Sequence, residues 1–236
     1  MIFSILSVAI AAGLVQGTSG FGGGILMMMV LPLFFTIPQS AGISTAVCLV
    51  MQIIMVYQYR EQLKLKDILL PVTFYMITSS SSVVLSSYVD PVFMKKVLGV
   101  FFLILASYYL FFSKQKEKEF TFIQSVFCVV ISGLCDGLFG IGGPLMVIYF
   151  LHKFPETKEY LGNLQMFFLI NGVVMTIFRI HQGIILPSFI PGIIGGAVGI
   201  CIGLYFATQL ISRINGQHLR KFIYILIGIS GILNIL

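Results

Sequence analysis

The chain has 236 residues, of which 58% are hydrophobic and 9% are charged. Soluble globular domains carry about 25% charged residues, so this composition and a mean hydropathy of +1.04 exclude a soluble protein and predict an integral membrane protein. The net charge of +6 does not indicate nucleic-acid binding, because the basic residues lie in short segments between apolar runs, where they act as topology signals.

A glycine-rich motif near the start of the chain returns 120 residues later. Residues 13–23 read G-L-V-Q-G-T-S-G-F-G-G, and residues 133–143 read G-L-C-D-G-L-F-G-I-G-G. Duplication inside a strongly apolar chain is typical of transporters that are built from two repeats. We therefore predict a first transmembrane repeat at 1–113, a cytoplasmic linker at 114–120 and a second transmembrane repeat at 121–236.

Each repeat is predicted to contain one broken helix and three ordinary membrane helices. The glycine clusters interrupt apolar stretches and leave limbs at 1–16 and 22–36, and again at 121–137 and 142–152. Crossing the hydrocarbon core takes roughly 20 helical residues. Six uninterrupted apolar runs are that long: 41–59, 68–88, 92–112, 160–179, 186–208 and 219–236.

The distribution of Lys and Arg selects the topology of the broken helices. If each pair of limbs made one extra crossing, the 14 basic residues would divide equally between the two sides of the membrane. If each pair is a re-entrant hairpin, the loops around 60–67, 113–120, 152–159 and 209–221 share one side and carry all basic residues except Lys95, Lys96 and Arg179. Cytoplasmic loops carry such an excess, so we predict hairpins. The second repeat is then inverted relative to the first, an architecture that supports alternating access.

The hairpin tips are the predicted binding site. Their glycines permit positive φ and a close approach of backbone to ligand. Each second limb also points the positive end of its helix dipole at the protein centre, which favours an anion. The candidate glycines are Gly20, Gly22 and Gly23 in the first repeat and Gly140, Gly142 and Gly143 in the second. The alternative is that glycines only allow helices to cross closely, which explains the glycine run at 192–203 better.

Polar side chains near the tips complete the candidate site. The uncharged polar candidates are Gln16, Thr18, Ser19, Ser44, Thr45, Asn163, Gln165 and Asn171. Of these, Thr18, Ser19, Thr45 and Gln165 are predicted to solvate an oxyanion, although each hydroxyl can instead bond its own helix backbone. Asp136 is the acidic residue placed well inside an apolar segment, which indicates either proton coupling or a structural cap. Arg179 lies near a helix end and is predicted to extend its charge toward the interface. The histidines and cysteines lack metal-ligand spacing, so no metal or other cofactor is predicted.

Two other functions are compatible with parts of this pattern. An anion channel also uses backbone dipoles, and the sequence separates it from a carrier only through the inverted repeat. Gly17-Thr18-Ser19-Gly20 resembles the nucleophile motif of rhomboid-type intramembrane proteases. That chemistry needs a histidine base, whereas no histidine lies inside a predicted span, so the protease is a remote alternative.

The paired motifs, with the sequence A-G-I-S-T at 41–45, resemble the sulfite exporter TauE/SafE family, also described as the toluenesulfonate uptake permease family. This resemblance covers the whole chain. It implies transport of a sulfur-containing oxyanion, such as sulfite or an organosulfonate, across the bacterial plasma membrane, mostly outward. The implied partners are this small anion and the lipid bilayer, with a homodimer left open. Pro144 and the segment Asn163-Leu164-Gln165 depart from the family pattern and bear on substrate choice.

Overall fold

The computed structural model describes residues 2–86, 88–108 and 121–210 and five positions between 228 and 235, with only the backbone described at 2, 3, 18, 19, 208 and 210. The predicted linker at 114–120 and most of the last predicted span lie outside these residues. The described helices are α1 (Ile2–Ser19), α2 (Gly23–Val30), α3 (Ile37–Gln58), α4 (Leu65–Ser86), α5 (Pro91–Ser107), α6 (Phe122–Phe139), α7 (Gly143–Lys153), α8 (Thr157–His181) and α9 (Ile190–Leu210).

These elements confirm an all-α integral membrane protein. Five helical segments among the described residues are long and apolar enough to cross a membrane: 37–58, 65–86, 122–139, 157–181 and 187–207. Large apolar side chains, such as Phe74 and Ile77 on α4, point outward, where a bilayer rather than water accepts them. One member of this set, α6, was predicted as a re-entrant limb ending at 137, and it is longer than predicted.

Local sequence signals set where the long helices begin. Thr36 accepts a hydrogen bond from the Gln39 amide and donates its own amide to the Gln39 side chain, and Thr121 forms the same capping box with Gln124. Asp90 caps α5 by accepting from the Phe93 amide at 2.9 Å. Each cap satisfies amides that have no partner within the helix.

The two hairpin tips are built in the same way. Gly20 donates its amide to the Gln16 carbonyl and Gly140 donates its amide to the Asp136 carbonyl, both at 2.7 Å. Gly20 and Gly140 both have positive φ, of 79° and 65°, which ends the helix at little steric cost. The short helices α2 and α7 start within three residues of these turns.

The first hairpin packs along α9. A Cβ on Gly13 would lie 2.5 Å from the Ile200 carbonyl oxygen, so α1 and α9 are in backbone contact. Beyond α2, the Phe35 ring meets Phe189, at the start of α9, with a centroid separation of 5.4 Å. The α1–α2 hairpin therefore returns to the end of the molecule where α9 begins.

The second hairpin packs along α4 in an equivalent way. A Cβ on Gly133 would lie 2.9 Å from the Tyr75 carbonyl oxygen, and Gly137 lies against the Ser79 backbone. Lys153, at the end of α7, donates to the Asp67 carbonyl at 2.8 Å near the start of α4. The α6–α7 hairpin therefore returns to the end where α4 begins.

An antiparallel pair, α3 and α8, lies between the hairpins. Gly42 is next to Arg179 at one end of the pair, and Gly162 is next to Tyr59 at the other end. Since α9 follows α8 and α4 follows α3, the two hairpins open toward opposite ends of this pair. Exchanging the elements of the two halves leaves the pairing of helices unchanged, which is the arrangement that inverted repeats require.

Candidate functional site

A cavity of about 70 Å³ lies between the two hairpin tips and the α3–α8 pair. Its wall draws on equivalent positions in the two halves. Five pairs of lining residues are separated by the 120-residue offset: Gln16 and Asp136, Phe21 and Ile141, Gly22 and Gly142, Cys48 and Phe168, and Gln52 and Gly172. The cavity therefore lies where the two halves meet.

The tips touch each other at their glycines. A Cβ on Gly24 would lie 3.1 Å from the Gly140 carbonyl oxygen, and one on Gly140 would lie 3.2 Å from the Ala41 Cα. Gly143 differs, because a Cβ there would meet no atom within 4 Å although the residue lines the cavity. The glycines thus permit close packing at some positions and leave room for a ligand at Gly143.

The N-termini of α2 and α7 both meet at this cavity. Their N-cap residues, Gly22 and Gly142, have no side chain to cap the first amides. At α2 the Gly23 amide donates to Gln16 Oε1 at 3.0 Å, so a glutamine occupies one of these donors. Helix N-termini of this kind are suited to bind an anion, since dipole and amides both point at it.

A pair of glutamines ties the first tip to α8. Gln165 Nε2 donates to the Gly20 carbonyl at 2.7 Å, and Gln16 Nε2 donates to Gln165 Oε1 at 3.2 Å. Both side chains are buried. Because each buried polar atom needs a partner, this bridge holds the tip in one position against the second half of the chain.

Asp136 starts a second buried network. Its Oδ2 accepts from Asn171 Nδ2 at 2.9 Å, and Asn171 Oδ1 accepts from Ser79 Oγ at 3.2 Å. The Tyr75 hydroxyl lies against Gly142 and near this carboxylate, and it forms no hydrogen bond with the described residues. Asp136 and Asn171 both line the cavity, so a carboxylate and a primary amide face whatever binds there.

Arg179 corrects the sequence analysis. The guanidinium does not extend toward the interface, because the residue is 1% exposed. Its Nη1 donates to the Ala41 carbonyl at 3.2 Å and to Thr45 Oγ1 at 2.6 Å. Its Nη2 donates to the carbonyls of Asp136 and Gly137 at 2.9 and 3.0 Å. One buried cation thus joins α3, α6 and α8 beside the second tip.

The structure brings most of the predicted site residues to the tips. Those that line the cavity are Gly22, Thr45, Gly140, Gly142, Gly143 and Asp136. Gly20, Gly23 and Gln165 lie beside it and make the hydrogen bonds given above. The side chains of Thr18 and Ser19 lie outside the described part of the chain.

Gln16 and Asn171, which were among the polar candidates near the tips, also line the cavity, whereas the lining residue Gln52 was missed by the sequence analysis. The signal of Gln52 is an uncharged amide inside an apolar run, and Gln16 occupies the position equivalent to Asp136. Within the described ranges, no group of three His, Cys, Asp or Glu side chains is placed to hold a metal ion.

Comparison with known proteins gives two matches. Residues 5–233 match the family described as sulfite exporter TauE/SafE. A protein of Methanocaldococcus jannaschii that is named a probable membrane transporter is 24% identical over 260 residues, which cover 98% of this chain and 94% of the relative. No solved structure matches the chain.

Proposed function

Because the chain belongs to the sulfite exporter TauE/SafE family, we propose that it is a secondary carrier that exports a small sulfur-containing oxyanion. The chain is a multi-pass membrane transporter and not an enzyme. The proposal adds the substrate class, the direction, the mechanism and a location in the bacterial plasma membrane. Its main support is the cavity between two helix N-termini whose N-cap residues are both glycines.

The anion binds at this cavity in the proposed carrier. Amides at the start of α7 approach it at Gly143, where no side chain intervenes. The Arg179 charge lies one layer behind the cavity, with its terminal N–H groups directed to protein oxygens. The backbone therefore makes the direct contacts, and the buried cation favours a negative ligand through the low-dielectric interior.

Alternating access follows from the opposite directions in which the hairpins open. Movement of the α1–α2 hairpin with α9 against the α6–α7 hairpin with α4 would open each end of the α3–α8 pair in turn. Outward movement of an anion is downhill in a cell whose interior is negative, by about 2.3 kcal/mol per charge per 100 mV. The membrane potential alone is sufficient to drive export.

Asp136 is the candidate for a coupling proton, which export driven by the membrane potential does not require. A carboxylate that lines the cavity repels an anion, so protonation of Asp136 and anion binding favour each other, and a coupled proton would move in the same direction as the anion. Arg179 and Tyr75 are the other titratable groups beside it. In an Asp136→Asn variant, a pH gradient should no longer drive flux, whereas a membrane potential should still do so.

The test is flux of labelled sulfite into proteoliposomes under an imposed potential, with sulfate, thiosulfate, a small sulfonate and acetate as competitors. We expect saturable flux that the sulfur oxyanions inhibit more strongly than acetate does. Flux without saturation would favour the channel alternative. Absence of flux for every anion, with folded protein in the vesicles, would refute the proposed substrate class.

Gly143→Leu tests whether the cavity is the transport site. Since the new side chain enters open space, we expect the variant to fold and to lose at least about 90% of sulfite flux. Val198→Leu adds one methylene group on the exposed face of α9 and is the control for bulk. Normal flux through Gly143→Leu would place the anion elsewhere.

Ser19→Ala tests the protease alternative. The variant should retain transport, and loss of a proteolytic activity in this variant would revive that alternative.

A further inference from the structure

We propose that Gln52 binds the transported oxyanion directly and sets the selectivity of the site. This inference rests on the proposed function and adds a residue that the glycine motifs do not contain. Gln52 lies on α3, lines the cavity and is 8% exposed. Its Oε1 is buried and finds no hydrogen-bond partner among the described residues.

Of the five buried side-chain oxygens that lack a hydrogen-bond partner among the described residues, only that of Gln52 belongs to a residue that lines the cavity. The other two buried glutamines beside the cavity, Gln16 and Gln165, use their side-chain oxygens and nitrogens in the bridge to the first tip. Leaving a buried polar atom without a partner lowers stability, and such atoms are rare in folded proteins. An oxyanion cannot donate to Oε1, so a contact with the ligand is made when the amide turns and presents its N–H donors to the cavity.

The residue next to the Gln52 amide is a glycine, which leaves space for this amide. Gly172 is its equivalent in the second half, and a Cβ on Gly172 would lie 3.1 Å from Gln52 Oε1 and 2.9 Å from Leu49 Cδ2. The two halves therefore do not contribute symmetric side chains here. One half supplies an amide and the other supplies the space that it occupies.

The chemistry of a primary amide matches an oxyanion. The two ends of the amide have similar shapes, so the group can turn to present its two N–H donors to an acceptor in the cavity. An uncharged donor binds the oxygens of an anion without adding a charge next to Asp136 and Arg179. The amide favours a compact anion whose oxygens accept several hydrogen bonds over a carboxylate with fewer acceptors.

The experiment compares wild type with Gln52→Leu, Gln52→Glu and Gly172→Ala in the same proteoliposome assay. We expect Gln52→Leu to raise the KM for sulfite at least about tenfold and to reduce the preference for sulfite over acetate, since a hydrogen bond to a charged ligand is lost. Gln52→Glu should abolish saturable uptake at neutral pH. Gly172→Ala should raise the KM in the same direction by displacing the amide.

Controls separate binding from folding. Gln182→Leu, at the exposed end of α8, should leave KM and competition order unchanged. If Gln52→Leu does not accumulate in the membrane, Gln52→Asn is used in its place. This variant shortens the side chain by one carbon and should raise the KM without changing the maximal flux. If Gln52→Leu shows the same flux, KM and competition order as the wild-type protein, the assignment of Gln52 is overturned and the proposed function is not. Absence of wild-type flux for every oxyanion would overturn both this assignment and the proposed function.

Discussion

Arg179 is the residue whose replacement should most disturb the tips. Its four terminal hydrogen bonds reach oxygens on α3 and α6, and the planar guanidinium is the only side chain shape that spans them. Arg179→Lys keeps the charge and loses this geometry. Since a hydrogen bond to a charged group contributes about 1.5–3 kcal/mol and several of these bonds are lost, we expect a large fall in thermal stability in detergent.

An exposed arginine provides the comparison for Arg179. Arg60 donates to the Tyr57 carbonyl and stacks over the Tyr57 ring at the surface. Arg60→Lys should change stability by no more than about 0.5 kcal/mol. Equal melting temperatures for Arg179→Lys and Arg60→Lys, measured by fluorescence in the same detergent, would contradict the role assigned to Arg179.

The sequence could not predict the environment of Arg179. Its hydrogen-bond partner Ala41 lies 138 residues away along the chain, and no local pattern reports that contact. The closeness of Arg179 to a helix end suggested a surface position, because an arginine near a helix end usually reaches the interface. Asp136 is buried at the second tip, and the sequence marks it out because a lone acid within an apolar run is a signal that needs no partner to be recognised.

Glycine spacing accounts for the closest helix crossing. Gly13, Gly199 and Gly203 bring the backbones of α1 and α9 together, and a Cβ on Gly203 would collide with the Ile10 carbonyl. Gly203→Val should therefore separate the two helices and lower both stability and flux. Adding side-chain volume to a well-packed contact typically lowers the free energy of unfolding by about 1–3 kcal/mol, and by more where the added atoms meet backbone.

Stability against thermal aggregation in detergent is the measurement for Gly203→Val. The matched variant is Val198→Leu, which changes an exposed position one turn earlier on α9 and should keep wild-type stability. If Gly203→Val aggregates at the same temperature as the wild-type protein, a side chain fits at this position and the close contact between α1 and α9 is contradicted.

Helix boundaries at the tips were predicted less well than the tips themselves. The first limb was predicted to end at 16, whereas α1 continues to Ser19, and α6 likewise continues to Phe139. Gly17 and Gly137 are helical despite their low propensity, because each packs against a neighbouring helix where a side chain would not fit. Glycine in a membrane helix is thus an ambiguous stop signal, and tertiary contacts decide whether it ends the helix.

At the scale of the whole molecule, polar contacts join two loops that are distant in sequence. Lys64 Nζ lies 2.8 Å from Glu159 Oε1, and Asn163 Oδ1 accepts from the Lys64 amide at 2.7 Å. The hydrogen bond that Lys64 Nζ donates to the Glu159 carboxylate raises the pKa of Lys64 above its usual value. Exposed ion pairs add little stability, so the importance of these contacts is topological.

The re-entrant hairpins require loops 60–67 and 152–159 to share one side of the membrane, whereas a single crossing by each broken helix would separate them. In a variant whose native cysteines are replaced, a cysteine pair at Lys64 and Glu159 should be joined in intact membranes by a short bifunctional thiol reagent, which spans the distance that two long side chains bridge in the wild type. Impermeant maleimide should label both positions from the same side. A pair at Lys64 and Leu186 is the control and should not cross-link.

This experiment decides more than the position of two loops. With the three uninterrupted membrane helices that the sequence predicts in each half, the parity of crossings depends only on whether the broken helices return to the side on which they start. Labelling of Lys64→Cys and Glu159→Cys from opposite sides would make the two halves parallel, and the opposed helix N-termini would then lose their relation to alternating access. Labelling from one side, with Leu186→Cys labelled from the other, would make the halves antiparallel. It would also leave each hairpin accessible to solvent from a different side, as a carrier requires.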